Sequence, residues 1–99
     1  MKEKKVYVLS IAWSYDGENG REILGVYDTK GSFLLEHFAK LVAWERENTW
    51  VEQYVAEDFT IFPDMAEDVI SYTNDPEYFS LVTQDGNFTE LCITEKEVQ

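Results

Sequence analysis

Carboxylates dominate the reactive side chains of this chain: 20 Asp and Glu residues stand beside a single His and a single Cys in 99 residues. Adjacent pairs such as Glu67-Asp68 have the makings of an acid–base pair or a Mg²⁺ site. In so acidic a chain neighbouring acids also arise from composition alone, and a solvated face explains them without catalysis. His37 follows Glu36, but a general base needs a reacting group within hydrogen-bond reach, and the spacing assigns it none. Cys92 has no basic neighbour that would make it a nucleophile, so it reads as a structural thiol. One Cys excludes an intramolecular disulfide framework, and one Cys with one His excludes the usual zinc sets. Asp16-Gly17-Glu18-Asn19-Gly20 has carboxylates in a loop, yet it is too short for a calcium loop and lacks the distal bidentate Glu. There is no Gly-rich phosphate loop, nucleophile elbow or HExxH helix. No catalytic residue, metal or cofactor is expected.

The carboxylates then matter as charge. The formal net charge is −12, and it is unevenly spread. Residues 1–46 hold seven basic and seven acidic side chains, whereas residues 47–99 hold thirteen acidic ones and only Lys96. An ordinary nucleic-acid-binding surface is excluded, because phosphates would be repelled. The converse fits: twelve charges match about 20 Å of duplex at ~1.7 Å per charge, a span comparable with a domain of this size. Asp64, Glu67, Asp68 and Asp75 supply one row, and Glu52, Glu57 and Asp58 a second, with Asp85 and Glu90 beyond. Trp50 and Tyr54 share the alternation of Glu52 and Asp58 and are candidate anchors, since aromatics dominate binding hot spots. Solubility alone accounts for an acidic composition. Segregation into one half brings self-repulsion, which calls for a further reason.

These residues must be positioned by one domain, since 99 residues cannot supply two cores. Val6 to Trp13 is β-branched and aromatic on both alternating faces, as in a central strand over 5–14. The Asp16–Gly20 turn joins it to a second strand, 22–27, as a hairpin. Thr29 or Ser32 can cap a helix over 30–47, where Leu34, Leu35, Phe38, Leu41 and Val42 form an apolar stripe. Residues 50–62 read as extended, with a break near Glu57-Asp58. Asp64 then caps a short second helix with Ala66, Val69, Ile70 and Thr73 on one face and the acids on the other, ended by Pro76. Residues 78–84 and 88–94 form a hairpin about Asp85-Gly86-Asn87, and the tail frays from Glu95. The expectation is an α+β domain: an antiparallel sheet of four to five strands with one long and one short helix, in the order ββ-α-β-α-ββ. The Val6–Ile11 run is too short for a signal-peptide core and no stretch spans a bilayer, so a cytoplasmic protein is expected and the Asn87-Phe88-Thr89 acceptor pattern reads as chance.

The opening KVYVLSIAWSYDGENGREILGVYDTK resembles the N-terminal hairpin-to-helix pattern of small uncharacterised bacterial and mobile-element domains, through its VYVL strand and the GVYDT before the helix. That resemblance covers about a quarter of the chain and implies no catalytic residue. Size, acidity and the lack of catalytic motifs resemble phage and plasmid inhibitors of the anti-CRISPR and anti-restriction kind. The first expectation is therefore a non-enzymatic inhibitor that presents a DNA-mimic-like surface to a basic nucleic-acid-binding partner such as a CRISPR nuclease. An interaction module that pairs with itself through a sheet edge or aromatic patch is the second, and a carboxylate-based metal-dependent hydrolase the third.

Overall fold

A computed structural model describes residues 4–98; Lys2 of the basic start and Gln99 of the tail lie outside them. Five strands, β1 (Lys4–Tyr15), β2 (Glu18–Tyr27), β3 (Val69–Asp75), β4 (Tyr78–Thr83) and β5 (Phe88–Val98), form one antiparallel sheet in the order β2-β1-β5-β4-β3. One helix, α1 (Ser32–Asn48), packs on it. The chain is an α+β fold with the order ββ-α-βββ.

The first hairpin forms as its residues dictate. β1 is paired on both sides, and Asp16 and Gly17 both take positive φ (51° and 85°), the combination a two-residue turn needs to match strand twist. One extra residue on β2, Leu24, shifts the register between Leu9 and Ser10. Gly31, rather than Thr29 or Ser32, occupies the N-cap position of α1, and no side chain bonds the first turn there. Leu34, Phe38 and Val42 are buried at helical spacing against Leu9, Phe79, Leu81 and Leu91 of the sheet.

The middle of the chain departs from the expected order. Trp50–Gln53 is a 3-10 turn rather than the start of a strand. Thr49 starts it: its hydroxyl accepts from the Val51 amide at 3.2 Å and donates to the Glu45 carbonyl at 2.6 Å. Val51 and Val55 are both buried, and their spacing of one helical turn, with the Val55 amide donating to the Val51 carbonyl at 3.0 Å, overrides the alternating reading. Only one β-bridge, Val55 to Ile61, survives from the expected 50–62 strand. The expected second helix is also corrected: Pro63–Asp68 is a 3-10 turn and Val69–Asp75 is the edge strand β3. Val69, Ile70, Tyr72 and Thr73 suit a strand, and Pro76 serves the tight turn that pairs Asp75 with Tyr78. The tail does not fray at Glu95. β5 continues to Val98 and pairs with Lys4 to Tyr7 of β1.

α1 and the 50–62 segment cover one face of the sheet, and the other is open. There Val6, Val8, Ser10 and Ala12 of β1 stand beside Lys96, Thr94, Cys92 and Glu90 of β5, with the Ser10 hydroxyl 3.4 Å from the Cys92 sulfur. Among the described residues no helix is long and apolar enough to cross a membrane.

Candidate functional site

The molecule measures 54 × 28 × 20 Å, and the 12-residue β1, about 40 Å long at ~3.3 Å per residue, fits only along its longest dimension. The sheet therefore has two distinct ends. At one, the Asp16-Gly17 turn meets the turn between β4 and β5, where the Asp16 amide donates to Asn87 Oδ1 at 3.1 Å. The Gln84 amide donates to the Asp68 carbonyl at 2.8 Å, which brings in the Pro63–Asp68 turn. Tyr15 stacks on Trp50 with ring centroids 5.4 Å apart, and Trp50 meets Tyr54 edge-on at 5.6 Å, which brings in the Trp50–Gln53 turn. These four turns carry Asp16, Glu18, Glu52, Asp64, Glu67, Asp68 and Asp85, all exposed. Among the described residues, none of them has an ion-pair partner; the two pairs found are Lys5–Glu95 at 3.5 Å and Lys30–Glu77 at 2.6 Å. Burial pushes the Tyr54 phenol above its ordinary value, and the charges of Asp85 and Asp68 add to the shift. The opposite end of β1 and β5 holds Lys4, Lys5 and Lys96, opposite or beside Glu95 and Glu97.

The expected binding residues are therefore only partly assembled. Glu52, Asp64, Glu67 and Asp68 gather at the acidic end. Glu57 and Asp58 sit apart on the loop that follows Tyr54, where Asp58 accepts from the Thr60 hydroxyl at 2.6 Å and the Thr60 amide at 3.2 Å. Those bonds, the hydroxyl's first, hold the Asp58 carboxyl below its ordinary value. Asp75 lies at the turn between β3 and β4. Glu90 is on the open face, accepting from the Tyr78 hydroxyl at 2.7 Å. Trp50 is half-buried and Tyr54 buried, so neither stands out as a free anchor, and the alternation linking them to Glu52 and Asp58 is replaced by a 3-10 turn. In compensation, Asp16 and Glu18 join from the neutral half of the sequence.

A second feature was not expected. Two adjoining hollows, of about 280 and 360 Å³, lie beside the C-terminal half of α1 and share Ile11, Trp13 and Glu45. Trp50 and Thr89 complete the smaller, and Trp44 and Glu22 the larger. Glu45 is only 9% exposed, and burial raises its carboxyl above the ordinary value, against the opposing pull of a hydrogen bond from Thr49. The Thr89 hydroxyl is buried without a partner. Arg46, next in sequence, points its Nε to the Val55 carbonyl at 3.0 Å instead. Trp13 is packed so closely on Gly20 that a Cβ there would stand 2.8 Å from the indole Nε1. The sequence did hold a signal for Glu45: it falls where the Leu34, Phe38, Leu41 and Val42 stripe calls for its next apolar residue.

Among the described residues no three His, Cys, Asp or Glu side chains converge as metal ligands. Comparison with protein-family models, curated proteins and solved structures finds no match for this chain.

Proposed function

We propose that this protein is a non-enzymatic inhibitor, acting in the cytoplasm, whose acidic end docks on the basic nucleic-acid-binding surface of a partner such as a CRISPR nuclease or restriction enzyme. The observation that carries the reading is the gathering of seven carboxylates without ion partners on four turns at one end of an elongated molecule. The cross-section is 28 Å at its widest. One DNA strand spaces its phosphates ~3.4 Å apart, so it presents about eight over that distance. Seven carboxylates approach that density, and the lysine and arginine side chains that hold phosphates would pair with them. A pull-down from cells carrying CRISPR and restriction systems, run at low and high salt, tests the reading. Capture of a nucleic-acid-binding protein that is lost at high salt supports it; capture insensitive to salt counts against it.

The uncovered face of the sheet favours a second reading, an interaction module that associates with itself. Ile23 and Val26 of β2 are 65% and 61% exposed at the sheet edge. Sedimentation equilibrium separates the two, since a dimer through this face gains mass with concentration and ignores salt.

A further inference from the structure

The adjoining hollows beside α1, joined through their shared Ile11, Trp13 and Glu45, form one site with aromatic and acidic lining. Its lining includes Trp13, Trp44 and Trp50, and its polar residues are Glu45, Glu22, Tyr15, Thr49 and Thr89. No basic side chain lines either part. A carboxylate as buried as Glu45 normally has a cation or several donors beside it, and a buried hydroxyl normally has a partner. Here Glu45 makes no ion pair among the described residues and has only the Thr49 hydrogen bond to offset its burial, and the Thr89 hydroxyl is unpartnered. Aromatic faces attract cations, and a guanidinium suits such a site better than an ammonium. It is flat, weakly hydrated and able to stack on an indole while its N–H groups reach a carboxylate.

We propose that this hollow takes the guanidinium of an arginine side chain presented by the basic partner, with the cation against the tryptophans and paired to Glu45. The proposal rests on the reading above, in which such a partner meets the acidic end; Trp50, stacked on Tyr15 next to Asp16, borders both. The acidic end would attract the partner over a distance, and the hollow would hold one side chain.

The test follows the indole Nε1–H signals of the intact protein by NMR during titration with argininamide, with citrullinamide as the uncharged isostere. Saturable shifts of Trp13 and a second tryptophan with argininamide, about tenfold weaker in Glu45→Gln and absent with citrullinamide, are the expected result. Equal responses to both compounds, no saturable response, or undiminished binding by Glu45→Gln overturns the proposal. Glu45→Gln removes a buried charge and keeps its shape, so it retains the fold. An octa-arginine peptide separates this claim from the one beneath it. Binding that Glu45→Gln leaves intact but Asp68→Lys with Asp85→Lys abolishes overturns the hollow and leaves the acidic end standing. Binding that the charge reversals do not weaken sinks the acidic end, while the argininamide result still decides the hollow.

Discussion

Glu45 sits on the apolar stripe of α1, three residues after Val42, and is covered by the sheet and the Trp50–Gln53 turn. Its charged form is therefore disfavoured in the folded protein, and its carboxyl keeps a proton to higher pH than in the unfolded chain. The sign of the consequence is fixed. Between the unfolded and folded pKa values the native state binds more protons, so stability falls as pH rises through that window and stays lower above it. Glu45→Gln is expected to raise the melting temperature at neutral pH and to give no gain at pH values below the ordinary glutamate pKa, as thermal denaturation at the two pH values will show. A loss of stability in the variant at neutral pH would mean that the Thr49 hydrogen bond outweighs the cost of burying the charge. The residue was legible in the sequence as a break in the helix stripe. Its unpaired neighbour Thr89 was not, because only strand pairing brings Thr89 and Leu91 beneath α1.

At the scale of elements, local pattern and long-range pairing contributed unequally. β1, β2, α1 and the β4–β5 hairpin carry their own signals: alternation, a helical stripe and Asp-Gly turns. Residues 50–75 carry conflicting ones. Ala66, Val69, Ile70 and Thr73 have helical spacing, but the same segment contains the β-branched and aromatic run that pairs with β4 across Pro76-Glu77. The pairing wins because it completes the sheet over the core and lets Tyr72 meet Phe79 edge-on at 5.9 Å. β3 is tied in further by the Tyr72 hydroxyl, which donates to the Phe59 carbonyl at 2.7 Å and pins the 54–62 loop. Tyr72→Phe is expected to cost about 1 kcal/mol in chemical denaturation. Phe38→Ala, at the centre of α1 and fully covered, is expected to cost about 3–5 kcal/mol. A Phe38→Ala cost near that of a surface change would contradict the packing of α1 on the sheet.

The whole molecule converts an uneven sequence charge into an uneven shape. The acidic excess after Arg46 was legible as a tally of residues. Its location was not, since the rows assigned to a second helix depended on an element that does not form. Folding adds Asp16 and Glu18 to the acidic end and sends Lys4, Lys5 and Lys96 to the other. Like charges at one end repel, so salt should stabilise the isolated protein and raise its melting temperature, while weakening its hold on a basic partner. Opposite responses of stability and affinity to one variable are difficult to obtain from an acidic surface that serves solubility alone. The most direct test is displacement of labelled duplex DNA from a CRISPR nuclease captured by this protein, comparing the natural chain with Asp68→Lys plus Asp85→Lys at low and high salt. Displacement at low salt that fades at high salt and is at least about tenfold weaker in the charge-reversed variant is the expected result. Displacement unaffected by both salt and charge reversal would contradict docking through the acidic end.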